Sequence, residues 1–432
     1  MSGLAHLALE CGIRVTGSDK RENASIQKLR QLGVKVDKEQ RGRFIDPASC
    51  LVYSGAILQD NFERLKAREL HCLCMHRTQF LQKLTSDSLC ISVTGSHGKS
   101  STAALLAHIL PYTSYAIGGK FLKNGQNAQW GESDFFVLEL DESDRSFLSF
   151  FPTGALITNL EWEHVDVYPH LSLLKRDFSL FFKRLERREL FLWCMDDPGL
   201  RSLSPQGISY GFHPDADFRI LHFWKEGTQV SFRCAQKDKV LAPFSTSLLG
   251  KMQIQNSAGA IAMALQLGVP EREIRDSLAS FSGVEKRLEF LGTHQGALFF
   301  DDYAHHPTEI ECTLSALKES HPQYSLVALF QPHRYSRLRY FFTAFIEAFQ
   351  KADLLLVTQV YPAGESPIQK WGVKEWIREA SCILPIPVIS CTREEFFSQY
   401  ASSPLSWGQM WVTLGAGDIT FWGRELFFKR AE

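Results

Sequence analysis

The feature that most constrains the fold is a glycine-rich turn between two apolar segments. Residues 93–102 read VTGSHGKSST, preceded by the apolar run 89–93 and followed by the alanine- and leucine-rich segment 103–110. This order predicts a strand, a tight turn and a helix, and the positive end of that helix faces the turn.

The residues of this turn suit phosphate chemistry. Gly95 and Gly98 allow backbone N–H groups to approach an anion without a Cβ in the way. Lys99 adds a cation for phosphate oxygens, and Ser100 offers a hydroxyl to Mg²⁺. The turn therefore indicates a phosphate-binding loop, and the alternative is an ordinary strand–turn–helix with a surface lysine.

Length and charge limit the classes of protein to which the chain can belong. At 432 residues it predicts two or three domains. Lys and Arg (47) nearly balance Asp and Glu (48), so no net basicity favours nucleic acid or a membrane surface. No apolar stretch is long enough for a bilayer and no signal peptide is visible, so we expect a cytoplasmic protein.

Strand-like and helix-like segments alternate along the chain, which predicts an α/β fold with mainly parallel sheets. We expect three domains, at 1–86, 87–283 and 284–432. Polar clusters follow the strands, where α/β sheets place ligands.

Acidic residues lie at the end of the strand predicted at 135–140 and directly after it. Glu139 could hold a metal ion directly or through water, whereas Asp141, Glu142 and Asp144 crowd the same turn. A solvated acidic loop is the alternative. His164 follows the next strand and is either structural or the ligand of a second metal ion.

Two further positions have alternative interpretations. Lys286 and Arg287 form either a solvated pair or a site for polyphosphate oxygens. Asn256 stands at the predicted start of an alanine-rich helix, where it would either cap the helix or contact a purine edge.

The last region concentrates histidine and arginine after two strands. His305 and His306 follow one strand, and His333, Arg334 and Arg337 follow another. Arginines three apart share a helix face and suit bidentate capture of a carboxylate or phosphate, which indicates an acidic substrate such as an amino acid. The segment 71–76 (HCLCMH) is interpreted as a short buried strand, with a metal site as the alternative.

Taken together, these motifs resemble the Mur ligase family over essentially the whole chain. The phosphate loop matches at Thr94–Ser100, the acidic strand end at Glu139–Asp144 and an Asn-x-x-x-acid-His element at Asn159–His164. C-terminal signatures match at 301–307, 331–337 and 360–365.

The resemblance implies a Rossmann-like domain for a UDP-sugar, a central P-loop ATPase domain and a Rossmann-like C-terminal domain for an amino acid. It implies that ATP, with Mg²⁺, phosphorylates the lactyl carboxylate of UDP-N-acetylmuramate. The amine of L-alanine would then displace the phosphate in peptidoglycan precursor synthesis. Association with other enzymes of that synthesis is a further expectation.

The resemblance also implies residue roles. Lys99, His164, His305 and Arg334 would act in catalysis, and Ser100, Glu139 and His164 would bind metal. Nucleotide contacts are implied for Gly95, Ser96, His97, Gly98, Lys99, Ser100, Ser101, Asn256, Lys286 and Arg287. Substrate contacts are implied for Asp19, Ser54, Arg77, Tyr303, His305, Arg334 and Arg337.

The sequence departs from the family pattern at two places. The chain opens within the family's first glycine-rich turn, and we expect upstream DNA to encode the preceding strand in frame. Gly250-Lys251-Met252-Gln253 replaces a family Gly-Arg-His-Asn near the adenine pocket. Two alternatives therefore stand beside the alanine ligase: a recycling ligase that attaches a whole peptide, and a degenerate nucleotide-binding homologue without activity.

Overall fold

A computed structural model describes residues 1–20, 22–226, 229–400 and 408–428. The chain forms two compact units. The first comprises Met1–Trp224, Ser231–Thr246 and Gln255–Phe281, and the second comprises Lys225–Val230, Ser247–Ile254 and Ser282–Glu432. Among the described helices, none is both long and apolar enough to cross a membrane.

The amino-terminal segment alternates short helices and strands. In chain order they are α1 (Ser2–Glu10), β1 (Thr16–Ser18), α2 (Ala24–Gln31), β2 (Lys35–Asp37), β3 (Cys50–Tyr53), α3 (Phe62–Glu69), β4 (Leu73–His76) and α4 (Arg77–Leu84). β1 pairs with β2 and β3 pairs with β4, each in parallel, as two separate two-stranded sheets. Side-chain caps begin three of the helices, at Asn23, Asn61 and His76.

The central segment builds one large sheet. Its elements are β5 (Leu89–Thr94), α5 (Lys99–Ile109), β6 (Ser114–Ala116), β7 (Ala128–Gln129), β8 (Phe135–Glu139), β9 (Gly154–Ile157), α6 (Leu171–Phe182), β10 (Phe191–Cys194), α7 (Pro198–Arg201), β11 (Ile208–Gly211), β12 (Phe218–Glu226), β13 (Gln229–Gln236), β14 (Lys239–Val240), β15 (Phe244–Thr246), α8 (Lys251–Gln266) and α9 (Glu271–Ser280). The strand order is β14-β13-β12-β11-β10-β9-β5-β8-β6-β7, and β15 pairs with β13.

β5 and α5 form the centre of this segment. β5 reads as an almost unbroken apolar run, as expected for a parallel strand covered on both faces, and only Leu89 is exposed. α5 is rich in alanine and buries nearly every residue, so it packs closely beneath the sheet. The turn between them is therefore fixed at both ends.

The carboxyl-terminal segment folds around a six-stranded sheet. Its elements are β16 (Glu289–His294), β17 (Ala297–Asp302), α10 (Pro307–Ser320), β18 (Ser325–Phe330), α11 (Tyr335–Tyr340), α12 (Phe342–Ala348), β19 (Leu354–Val357), α13 (Val373–Ile383), β20 (Val388–Ser390), α14 (Arg393–Glu395), β21 (Gln409–Leu414) and α15 (Ile419–Phe428). The order is β16-β17-β21-β18-β19-β20, and β16 alone of these strands runs antiparallel to its neighbour. Apolar side chains pack on both faces of the sheet.

Candidate active site

Three neighbouring strands of the central sheet end at the same edge. β5 lies between β8 and β9, and all three run parallel. The phosphate loop (residues 95–98) follows β5, the acidic turn (residues 141–145) follows β8, and the segment 158–164 follows β9. This is the edge at which parallel α/β sheets place ligands, as the sequence predicts.

The phosphate loop needs glycine at two positions. Gly95 and Gly98 have φ angles of 132° and 78°, in the region that favours glycine. A Cβ on Gly95 would overlap the hydroxyl of Thr158, and one on Gly98 would lie 2.7 Å from Asn256 Nδ2. Both glycines therefore allow a conformation and a close approach that other residues would prevent.

Hydrogen bonds to the segment after β9 fix the loop. The N–H of His97 donates to Asn159 Oδ1 (2.7 Å), and the hydroxyl of Ser96 donates to the carbonyl of Glu161 (2.8 Å). His97 is buried, and its Nε2 lies 3.0 Å from Glu161 Oε2. Ser96 and His97 thus hold the loop in shape, whereas Ser101 lies buried in the first turn of α5.

Lys99 lies among acceptors of the protein itself. Its Nζ donates to the carbonyls of Gly95 (2.6 Å) and Ser96 (3.1 Å) and to both carboxylate oxygens of Glu142 (3.0 and 3.1 Å). Burial alone lowers the pKa of Lys99, but the carboxylates of Glu142 and Asp141 raise that pKa above its ordinary value. The ammonium group is therefore charged at the mouth of the loop.

Ser100 and Glu139 form an oxygen-rich pair that suits Mg²⁺. Ser100 Oγ donates to both oxygens of Glu139 (2.8 and 3.0 Å), and the N–H of Gly118 donates to Glu139 Oε2 (2.6 Å). A Cβ on Gly118 would lie 2.8 Å from that carboxylate. A hydroxyl and a carboxylate beside a phosphate loop are the donors that Mg²⁺ prefers, so these residues fit the cofactor.

A second group of possible metal ligands includes His164. Ligand atoms of Asp141, Glu142 and His164 lie within 4.8 Å of one another. His164 Nε2 is 3.4 Å from Glu142 Oε1, and although burial lowers the pKa of His164, Glu142 raises it above the ordinary value. The arrangement could hold a second cation, or a protonated imidazole in its place.

Asn256 is not the cap of its helix. α8 begins at Lys251, after Gly250 with a φ of 92°, so Asn256 lies in the second turn. The capping interpretation is therefore wrong, because the left-handed glycine lets the helix start five residues earlier. The side chain is buried against Gly98, and Nδ2 has no hydrogen-bond partner among the described residues.

The predicted sugar-site residues lie at strand ends of the amino-terminal segment. Asp19 follows β1 and Ser54 follows β3. Arg77 begins α4, and its Nη2 lies 3.8 Å from Asp141 Oδ2 and 3.7 Å from Asp144 Oδ2. Arg77 therefore lies beside the acidic turn, an arrangement that the sequence does not indicate.

His76 also contacts the acidic turn, which the sequence analysis does not predict. Its Nδ1 accepts the N–H of Thr78, and its Nε2 lies 3.3 Å from Asp144 Oδ2. The sequence predicts a short buried strand at 71–76. β4 occupies residues 73–76, but of these only Met75 is buried and Leu73 is exposed, so the burial part of the prediction is wrong. The metal alternative has no support among the described residues, because their groups of possible metal ligands do not include this segment.

The second unit has its own strand-end cluster, beginning with a strained loop. Lys286 and Leu288 have positive φ angles of 62° and 47°. Glu289 Oε2 accepts the N–H of Lys286 (2.7 Å), and Asp302 Oδ2 accepts the N–H of Leu288 (3.1 Å). The Arg287 guanidinium lies 5.1 Å from the centre of the Tyr303 ring.

Aromatic and imidazole rings extend this cluster across the sheet. His305 Nδ1 lies 2.9 Å from the carbonyl of Tyr303, which accepts its hydrogen, and the rings of His305 and His333 are 5.8 Å apart. His333 stacks on Tyr361, a residue that the sequence analysis did not assign. A short parallel backbone bridge between His333 and Tyr361 brings these two rings together.

The two arginines of this cluster do not share a helix face. Arg334 precedes α11 with a φ of 68°, whereas Arg337 lies within the helix and donates to His333 Nδ1 (3.0 Å). The prediction of two arginines on one helix is therefore wrong, because the helix starts one residue after Arg334.

A glycine-rich loop with a lysine, a hydroxyl–carboxylate pair and an adjacent acidic turn is the arrangement expected of an α/β phosphate-binding protein. Matches to family models agree with this class of protein and identify the family. The Mur ligase family catalytic domain matches residues 1–88, the Mur ligase middle domain matches 93–264, and the Mur ligase glutamate ligase domain matches 286–416.

The similarity to known proteins covers nearly the whole chain. UDP-N-acetylmuramate–L-alanine ligase from Protochlamydia amoebophila is 36% identical over 97% of this chain and 93% of that protein. The enzyme of the same name from Desulfotalea psychrophila is 37% identical over 99% and 95%. The solved UDP-N-acetylmuramate–alanine ligase from Thermotoga maritima superposes with a TM-score of 0.83 at 23% identity, covering 99% of this chain and 96% of that one.

The chain belongs to the Mur ligase family. The three-domain α/β architecture predicted from the sequence is confirmed. The boundaries at residues 86 and 283 and the roles of individual site residues stay predictions.

Proposed function

We propose that this protein is an ADP-forming ligase that joins L-alanine to the lactyl carboxylate of UDP-N-acetylmuramate. The observation that carries the proposal is the phosphate loop that contains Lys99 and is followed by the Ser100–Glu139 pair. It occurs in a chain more than a third identical, over nearly its full length, to ligases of that name.

The chemistry explains why such a reaction needs a phosphate loop. A carboxylate is a poor electrophile, and ATP with Mg²⁺ supplies the phosphoryl group and the positive charge that convert it into an acyl phosphate. Lys99 exchanges its protein acceptors for phosphate oxygens and neutralises charge that develops during transfer. Ser100 and Glu139 would hold the Mg²⁺ ion, and His164 with Asp141 and Glu142 would form a second cation site.

Three segments divide the remaining tasks in this proposal. Residues 1–86 bind the sugar nucleotide through Asp19, Ser54 and Arg77, and residues 87–283 bind ATP. Residues 284–432 bind the amino acid, for which Tyr303, His305, Arg334 and Arg337 gather near the ends of β17 and β18. Arginine and imidazole groups suit the carboxylate of an amino acid. Because the reaction consumes ATP and a UDP-sugar, we place it in the cytoplasm.

The test is ADP release by the full chain with ATP, Mg²⁺ and UDP-N-acetylmuramate, with and without L-alanine. We expect release that requires both the sugar and alanine. Lys99→Ala should lower kcat by about 10³-fold, because it removes the cation at the transferred phosphoryl group. The exposed Lys123→Ala is the matched control. Release that ignores the sugar contradicts the ligase assignment.

Two further measurements separate the proposal from its alternatives. Replacing alanine by the tripeptide of peptidoglycan tests the recycling ligase, which would prefer the peptide. Labelling the lactyl carboxylate with ¹⁸O tests the acyl phosphate, since one labelled oxygen must leave in the released phosphate. If no label appears in the released phosphate, the phosphorylated intermediate is excluded.

A further inference from the structure

The acidic turn has two sides that contact different parts of the first unit. On one side Glu142, which is 1% exposed, binds Lys99 of the phosphate loop. On the other side Asp144 contacts the amino-terminal segment. The two carboxylates are separated by Ser143 alone, so they belong to one short stretch of backbone.

Asp144 contacts two side chains of the amino-terminal segment and lies close to the backbone of a third residue. His76 uses Nδ1 to accept the N–H of Thr78, so its Nε2 carries the hydrogen and donates to Asp144. Arg77 lies 3.7 Å from the same oxygen, and a Cβ on Gly55 would lie 2.5 Å from it. The carboxylate of Asp144 therefore joins the acidic turn to this segment.

Hydrogen bonds hold the turn on both sides of Asp144. Asp141 Oδ1 accepts the N–H of Ser143 (3.0 Å), and the N–H of Arg145 donates to the carbonyl of Glu142 (2.9 Å). Arg145 has a φ of 61° and forms two hydrogen bonds (2.7 and 3.1 Å) to Asp177, which is fully buried. A movement of Glu142 therefore transmits to Asp144.

Charge balance makes Glu142 respond to nucleotide. Lys99 has three donor hydrogens, and in this structure protein oxygens take them. Phosphate oxygens that bind Lys99 must displace some of these acceptors. A buried carboxylate that loses its cation is costly, so Glu142 must move or recruit another positive group.

We propose that Asp144 is a positioning residue that couples the phosphate loop to the sugar-binding segment through the acidic turn. Nucleotide at Lys99 shifts Glu142, and Asp144 passes this shift to His76, Arg77 and the backbone at Gly55. The identity of the second ligand rests on the proposed function, whereas the coupling itself depends only on nucleotide binding.

Hydrogen–deuterium exchange of the full chain tests the coupling directly. Exchange is measured for peptides that cover 50–57 and 73–84, with and without a non-hydrolysable ATP analogue and Mg²⁺. In the wild type we expect the analogue to change exchange in both peptides by about fivefold, a usual size for coupling between sites. Asp144→Ala should abolish this change while analogue affinity stays within about twofold, since Asp144 lies outside the phosphate loop.

A second variant displaces the carboxylate without removing it. Gly55→Ala places a methyl group against Asp144 and should give the same loss, whereas Gly17→Ala adds a methyl group in open space of the same segment and should retain the wild-type response. Glu132→Ala, at an exposed acid, controls for lost charge. Unfolding midpoints in urea establish that all four variants are folded.

The outcomes separate this inference from the proposed function. Wild-type exchange that ignores the analogue, or a response retained in both Asp144→Ala and Gly55→Ala, overturns the coupling. Loss in these two variants with retention in the two controls supports it, even if the wild type releases no ADP with UDP-N-acetylmuramate. Where the ligase reaction is observed, the KM for the sugar at saturating ATP should rise about fivefold in Asp144→Ala. The KM for ATP at saturating sugar should rise by about the same factor, because coupling between two sites is reciprocal.

Discussion

At the scale of single residues, the active-site candidate is organised by opposite charges within a few ångströms. Lys99 lies among oxygens that a bound phosphate would replace, and Glu139 is already shaped by a hydroxyl and a backbone N–H. The sequence predicts roles for Lys99, Ser100 and Glu139, because a lysine near phosphate binds its oxygens and a hydroxyl or carboxylate there binds Mg²⁺. It does not predict His76 beside Asp144, because that contact joins residues 68 positions apart.

Glu139 should determine the magnesium requirement. Glu139→Gln removes a charged ligand but keeps an oxygen and the size of the side chain. We expect the Mg²⁺ concentration for half-maximal ADP release to rise at least about tenfold. The exposed Glu132→Gln is the control. An unchanged magnesium titration would remove Glu139 from the cation site.

Asp302 should make stability depend on pH. Burial raises the pKa of Asp302 from 3.8 to about 6, with Arg287 opposing the shift. Between these values the folded chain binds a proton that the unfolded chain has lost, so stability falls as the pH rises from about 4 to 6. We expect the wild type to lose about 3 kcal/mol more than Asp302→Asn between pH 4 and 7.

Urea unfolding followed by tryptophan fluorescence at several pH values measures this difference. The comparison is between slopes, so a constant loss of stability in Asp302→Asn does not affect it. Equal slopes for the two proteins would mean that the side chain is ionised throughout this range.

At the scale of elements, strands were easier to predict than the ends of helices. The apolar run before the phosphate loop becomes β5 because a strand covered on both faces needs continuous apolar residues. The start of α8 was misplaced because Lys251–Gln255 carries no apolar periodicity that sets it apart from a loop. The left-handed Gly250, which starts that helix, looks in the sequence like any other turn glycine.

Replacing Asn256 distinguishes its two interpretations, as a helix cap and as a nucleotide contact. Since it lies inside α8, Asn256→Ala should not lose the roughly 1 kcal/mol of a helix cap, and alanine is the better helix former. Its buried Nδ2 faces the phosphate loop, so ADP affinity should fall about tenfold, the value of one hydrogen bond. Urea unfolding and calorimetric ADP titration measure the two effects. Lost stability with unchanged ADP binding would restore the capping role.

At the scale of the whole molecule, periodicity and motif order were sufficient for the architecture. Alternating strands and helices predict mainly parallel sheets, and polar residues after β5, β8, β17 and β18 lie at strand ends as predicted. Patterns along a chain do not specify which side chains meet across it. The aromatic cluster around His333 and Tyr361 therefore emerges only from the folded sheet.

Stability should be distributed unevenly along this architecture. β5 has a paired neighbour on each side and buried residues over most of its length, whereas β1 with β2 and β3 with β4 form isolated two-stranded sheets of three or four residues. Short two-stranded sheets have marginal stability, because few of their backbone hydrogen bonds are shielded from water.

We expect amides of β1 and β3 to exchange with deuterium at least about a hundredfold faster than those of β5, a difference of roughly 3 kcal/mol in opening free energy. β18, at the centre of the other sheet, is the internal reference and should exchange as slowly as β5. Equal protection of β1, β3 and β5 would mean that the amino-terminal segment opens only when the central sheet does.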